Sequence, residues 1–158
     1  MTGRIFTSGA LYSLFNGEFG TVMEFYPSSG LVQAGRFDGG RCQQWEFIPA
    51  DEGFIVRCVG GAKDGSAAYL NFEGGSCSGE KLRASSRPMV WHIARDGDMI
   101  RGAGFAMQSG TVTGDGQPLY LTIEGPAVAD AAIVAKPYPV SWDVRRYETD
   151  ATARVGYR

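Results

Sequence analysis

The chain has one histidine and three cysteines, and these bound the chemistry it could perform. A Ser-His-Asp or Cys-His catalytic set would have to use His92. His92 directly follows Trp91 in an alternating apolar run, so strand alternation puts it on the face opposite the indole. Cys42, Cys58 and Cys77 lie in other segments, without CxxC spacing or a histidine at ligand spacing. The expectation is therefore a non-enzymatic protein with no cofactor and no metal. An odd number of cysteines reads as free, buried thiols in a reducing compartment. Gly60-Gly61-Ala62-Lys63-Asp64-Gly65-Ser66 lacks the Gly-Lys-Ser/Thr ending of a phosphate loop and leads into a strand. The acidic residues Asp51, Glu52, Asp96, Asp98 and Asp115 stand at turns, where turn chemistry accounts for them.

The aromatic residues are more regular. The three tryptophans stand in Cys42-Gln43-Gln44-Trp45-Glu46-Phe47-Ile48, Val90-Trp91-His92-Ile93 and Val140-Ser141-Trp142-Asp143-Val144, 46 and 51 residues apart. Each sits mid-strand among apolar neighbours, which marks it as a core residue. Gln43 then reads as a hydrogen-bonder tying its strand to a neighbouring loop. Gln43, Trp45, Trp91 and Trp142 are thus expected to be structural.

Short β-branched or aromatic runs surround these tryptophans, bounded by Gly, Pro, Asn or Asp. The first unit comprises residues 10–15, 21–26, 31–36 and the Trp45 strand. The second comprises 54–59, 68–72, 81–84 and the Trp91 strand. The third opens at Met99-Ile100-Arg101-Gly102, which 105–108 extends or bulges from. It continues through 119–123 and 132–135 to the Trp142 strand. Repeats fall at about 9–50, 51–97 and 98–148, followed by a loose tail at 149–158. No segment holds a 3.6-residue apolar period, and only the alanine-rich 127–132 suits a single helical turn. At 158 residues the chain fits one domain, residues 1–158, with a real core.

Net charge is −2 with mixed signs, which leaves no electrostatic footprint for nucleic acid. No apolar segment approaches membrane-spanning length, and the N-terminus has no apolar signal core. The expected location is cytoplasmic, or exported without a classical signal peptide.

A threefold repeat of four strands, each closed by a tryptophan, resembles a β-trefoil. Gln43-Gln44-Trp45 resembles the Gln-x-Trp signature of ricin-B-type lectins, and Gly9-Ala10-Leu11-Tyr12-Ser13-Leu14-Phe15-Asn16 resembles the first strand of fungal trefoil lectins. The resemblance spans roughly residues 9–147. It implies an all-β fold in which a six-stranded barrel carries a cap of three hairpins, since each unit alone cannot bury its apolar face. It also implies carbohydrate binding. The family takes a polar residue from the second strand of a unit, an aromatic platform near the third and an Asn before Gln-x-Trp. The second-strand positions here are Glu24, Asn71 and Thr122, while the third-strand positions fall near Ala34, Ala84 and Ala135. Cys42 replaces the Asn, and Met89 and Val140 replace the glutamine of the other two units.

Sugar would therefore stack on loop-adjacent tyrosines, Tyr26, Tyr69, Tyr120 or Tyr138, with hydrogen bonds from Glu24, Gln33 or Asn71. The expected partner is a glycan or glycoprotein, and a homodimer would multiply a weak site. The alternative is a trefoil-type protease inhibitor, or a protein-binding trefoil, using an exposed loop. The loops 26–31, 85–89 and 136–139 are the choices, and the partner would then be a protease.

Overall fold

The computed structural model describes residues 9–16, 21–72, 79–95, 104–112, 118–123, 131–136 and 142–147. Twelve strands run through them. They are β1 Leu11–Asn16, β2 Thr21–Tyr26, β3 Leu31–Arg36, β4 Trp45–Ala50, β5 Gly53–Cys58 and β6 Ala68–Phe72. Then follow β7 Leu82–Ser85, β8 Val90–Arg95, β9 Gly104–Val112, β10 Pro118–Ile123, β11 Ile133–Lys136 and β12 Trp142–Tyr147. A 3-10 turn, Arg41–Gln43, precedes β4. The expected opening of the third unit at Met99–Gly102, most of the alanine-rich turn, the Tyr138 loop and the tail lie outside the described residues.

Strand pairing closes a six-membered circuit. β1 pairs with β4, β4 with β5, β5 with β8, β8 with β9, β9 with β12 and β12 with β1, all antiparallel. A closed circuit has no exposed edge along it, which removes a template for unwanted pairing. The strands left over form three hairpins, β2–β3, β6–β7 and β10–β11. This is the β-trefoil: a barrel of six strands and a cap of three hairpins.

Alternation within each strand decides which side chains close the core. In β2, Met23 and Phe25 face in while Glu24 and Tyr26 are half-exposed. The core gathers Leu14, Phe47, Val56, Leu70, Phe72 and Leu121 around the three tryptophans, each fully buried. The indoles repeat one contact. Trp45 Nε1 donates to Met23 O at 3.1 Å, Trp91 to Leu70 O at 3.1 Å and Trp142 to Leu121 O at 3.2 Å. Each bond links the last strand of a unit to the second strand of the same unit.

The cap closes by a second threefold pattern. Ala34 N donates to Ala131 O at 2.9 Å, Ala84 N to Gly30 O at 3.1 Å and Ala135 N to Glu80 O at 2.8 Å. Each hairpin thus hydrogen-bonds the next in a ring. Ala34, Ala84 and Ala135 are themselves buried and stand opposite Met23, Leu70 and Leu121 in the hairpin registers. A larger side chain at any of the three would have to be accommodated in the packed interior. These alanines are therefore not outward platform positions. The outward neighbours on the third strands are Gln33, Arg83 and Lys136, half-buried in each case.

Replacing Trp91 by Phe removes the donor to Leu70 O and leaves a buried carbonyl short of a partner as well as a smaller ring. A loss of about 3 kcal/mol of stability is expected, from the unsatisfied acceptor and the packing defect together. Urea denaturation measures it, and an unchanged midpoint would show that the indole bond contributes nothing.

Candidate functional site

The three hairpins place three polar residues at equivalent points. Glu24, Asn71 and Thr122 each follow the residue whose carbonyl takes an indole bond, namely Met23, Leu70 and Leu121. Their surroundings differ. Asn71 is 3% exposed, and its Nδ2 lies within hydrogen-bond distance of Ser85 Oγ at 2.8 Å, Arg87 O at 2.9 Å and Tyr69 O at 3.2 Å. Its amide hydrogens are taken up inside the protein. Thr122 is equally buried, and its hydroxyl reaches Tyr120 O at 3.5 Å. Glu24 alone of the three is half-exposed.

Glu24 sits in a frame built by Gln43. Nε2 of Gln43 donates to Glu24 Oε1 at 3.0 Å and to Arg36 O at 2.8 Å. Its Oε1 accepts the amides of Asp38 at 2.9 Å and Gly39 at 3.2 Å. One buried side chain thereby fixes the segment after β3 beside the carboxylate. Gln44 adds a bond from Nε2 to Gly39 O at 3.0 Å, and Asp38 Oδ1 accepts the Gly40 amide at 2.8 Å. The Tyr26 hydroxyl reaches Glu24 Oε1 at 3.4 Å. Both side-chain bonds to Glu24 fall on Oε1, and among the described residues Oε2 takes none.

Gly35 makes room for this carboxylate. A Cβ on Gly35 would lie 2.0 Å from Glu24 Oε1, so no other residue fits there unless Glu24 moves. Gln33 stands directly across from Glu24 in the β2–β3 register, so the two side chains share a face. Phe37 follows in the segment held by Gln43. It is 44% exposed, and its ring lies 5.1 Å from that of Phe15, over which the Arg145 guanidinium sits at 4.4 Å. No alternation or motif singles out Phe37, because it falls just past the end of β3. Its exposure beside a polar cluster is visible only in the fold.

The structure thus brings Glu24, Tyr26 and Gln33 together and leaves Tyr69, Asn71 and Tyr120 apart from them. Tyr69 and Tyr120 occupy matching positions, two residues before Asn71 and Thr122, where the first unit has the buried Val22. Tyr26 lies at the other end of its strand. The tyrosines are therefore not three copies of one platform.

Two cysteines flank the frame. Cys42 lies in the 3-10 turn next to Gln43, and Cys58 ends β5, fully buried. Burial pushes the Cys58 thiol up to about 12 from an ordinary 9.0. Burial, and next the neighbouring Glu24 carboxylate, also raise Cys42. His92 is half-buried and lines a shallow open groove with Asp51, Glu52 and Val90. Among the described residues no group of three or more His, Cys, Asp or Glu could hold a metal ion, and no helix is long and apolar enough to cross a membrane.

Solved structures share this architecture. The Macrolepiota procera ricin B-like lectin, in complex with lactose, superposes with a TM-score of 0.71 at 22% identity, over 92% of this chain and 100% of that one. The Rhizoctonia solani agglutinin gives 0.71 at 16% identity over 92% and 100%. The designed 3-fold symmetric protein ThreeFoil gives 0.65 at 16% identity over 85% and 97%. The chain has the β-trefoil fold of the ricin B-like lectins. No protein-family model and no curated protein matches the sequence.

The Cys58 thiol supplies a pH test of the packing around the frame. It is held protonated in the fold and ionises at the ordinary 9.0 once unfolded, so unfolding releases a proton. Stability should fall as pH rises from 9 to about 12, with this thiol contributing at most about 1.4 kcal/mol per pH unit. Denaturant melts across that window should show a shallower decline for Cys58→Ala. Parallel declines in the two proteins would show that the thiol is not buried as described.

Proposed function

We propose that the protein binds carbohydrate without catalysis, as a lectin, and that its site is the Glu24 frame of the first unit. The observation that carries this is the half-exposed Glu24 carboxylate, fixed through Oε1 and with Oε2 unbonded among the described residues, with Gln33 and Tyr26 on the same face. A fixed carboxylate oxygen accepts hydrogen bonds from paired sugar hydroxyls, and charge makes such bonds stronger than neutral ones. Gln33 adds an amide that both donates and accepts. Tyr26 offers aromatic surface for the C–H face of a pyranose, a partner that is apolar on one side and polar at its rim. The frame is held by backbone and Gln43 bonds before any ligand arrives, so little ordering is needed on binding. Support also comes from the likeness in fold to the Macrolepiota procera lectin, whose structure holds lactose.

One shallow site binds weakly, in the millimolar range at about −4 kcal/mol. The burial of Asn71 and Thr122 favours the first unit over the corresponding positions of the other two. Avidity would then come from several copies of the chain on a multivalent glycan or glycoprotein rather than from three sites on one.

Protease inhibition is the second reading, and one observation favours it. Asn71 braces the Ser85–Met89 loop from within through Ser85 Oγ and Arg87 O, and Ser86, Arg87 and Pro88 are exposed on it. A rigid base under an exposed basic residue suits a protease inhibitor. The 26–31 loop suits one less, since Ser29 N and Gly30 N both close onto Tyr26 O and Gly30 O bonds Ala84.

A broad glycan array, run with Glu24→Gln and Arg87→Ala alongside the parent, separates the two readings. The expected result is glycan binding that falls at least about tenfold in Glu24→Gln, a change of about 1.4 kcal/mol, and is unaltered in Arg87→Ala. Absence of binding to every glycan, together with protease inhibition that Arg87→Ala abolishes, would overturn the lectin reading.

A further inference from the structure

We propose that Cys42 and Cys58 form a thiol–disulfide exchange site, and that its oxidation latches the segment framing Glu24. The two residues belong to different elements, the 3-10 turn before β4 and the end of β5. Two backbone bonds and one strand pairing bring the residues at and beside those elements together. Val59 N donates to Gln44 O at 2.9 Å, Gly60 N donates to Arg41 O at 3.1 Å, and Cys58 stands opposite Trp45 in the β4–β5 register. The Cys58 thiol also points at Arg41 O, 3.7 Å away, at the residue before Cys42. Cys42 Sγ lies over Gly60, close enough that a Cβ there would meet it at 2.8 Å. Both cysteines are free, and both thiols thus lie at the junction of the turn with the end of β5.

Cys42 is half-exposed and Cys58 is fully buried, which orders the chemistry. The oxidant is a small-molecule disulfide such as glutathione disulfide. The Cys42 thiolate attacks one sulfur of it, forming a mixed disulfide and expelling one small thiolate, which takes up a proton. Cys58, after losing its proton, attacks Cys42 Sγ, forms the Sγ–Sγ bond and expels the second small thiolate. Two protein thiols are oxidised by two electrons and one small disulfide is reduced to two thiols.

The bond would tie the 3-10 turn to β5 covalently. Gln43 is the next residue in that turn, and its Oε1 holds the Asp38 and Gly39 amides while its Nε2 holds Glu24. Oxidation therefore stiffens the frame through Gln43. As regulation of a sugar site this rests on the lectin reading, whereas the latch itself does not.

The test uses Cys77→Ser, which leaves Cys42 and Cys58 as the chain's only cysteines, treated with glutathione disulfide and followed by intact mass, peptide mapping and amide exchange. The expected mass falls by two hydrogens, and mapping joins the Cys42 and Cys58 peptides. Exchange at the Asp38 and Gly39 amides slows at least about tenfold, and dithiothreitol reverses both changes. Peptide mapping of the unmodified chain gives the same answer if Cys77→Ser fails to fold. A stable glutathione adduct on Cys42 with no cross-link would overturn the proposal, as would a cross-link that leaves Asp38 and Gly39 exchange unchanged. None of these readouts uses a sugar, so failure of the lectin reading appears separately, on the glycan array.

Discussion

Three indole N–H groups, each ending on a carbonyl of a second strand, hold the barrel to its cap. A buried indole donor needs a partner, and a carbonyl at the same depth needs a donor. Trp45, Trp91 and Trp142 satisfy both needs at once, and their large rings fill the space where the six barrel strands converge. The contact lies within a unit rather than between units, so each unit carries its own copy of it. What joins the units is the other threefold set, the Ala34, Ala84 and Ala135 amides, which pass one bond from each hairpin to the next.

The symmetry of these contacts makes the breaks in it informative. The position after the indole acceptor is Glu24 in one unit, Asn71 in another and Thr122 in the third. The neutral pair is buried and bonded within the protein, and Asn71 turns its amide inward to hold the loop at Arg87. A carboxylate could not be buried in the same way without a charged partner. Glu24 stays half-exposed, with Gly35 clearing space for it and Gln43 fixing one oxygen. Charge at one of three equivalent positions thus leaves that position half-exposed while the other two are buried.

Gln43 connects that face to the rest of the fold. It is nearly fully buried, at 1% exposure, and bonds both the carboxylate and the segment after β3. The turn that carries it is anchored just past β5, at Val59 and Gly60, and the Cys42 and Cys58 thiols lie at that anchorage. Stiffness at the Glu24 face therefore depends on packing some distance behind it. The same arrangement explains the raised thiols, since a pocket dry enough to bury a tryptophan strand also disfavours a thiolate.

Much of the architecture was legible in the residues. Period-two alternation bounded by turn residues marked eleven of the strands close to their observed places, and the recurring tryptophan gave the threefold repeat. Such patterns are local, because strand faces and turns depend on neighbours in the chain. The β9 strand was harder: the expected opening at Met99–Gly102 lies outside the described residues, and the strand described, Gly104–Val112, takes in the 105–108 run expected to extend or bulge from it. The inward turn of Ala34, Ala84 and Ala135, the burial of Asn71, the mismatch of Tyr26 with Tyr69 and Tyr120, the exposure of Phe37 and the meeting of Cys42 with Cys58 were not legible. Each depends on the register between strands far apart in sequence, or on which hairpin packs on which, and a single chain carries no local mark of either. The sequence by itself determined the repeat, the strands and the core tryptophans, whereas only the tertiary structure decided which polar group is left facing solvent, because that follows from how three unlike units close around one axis.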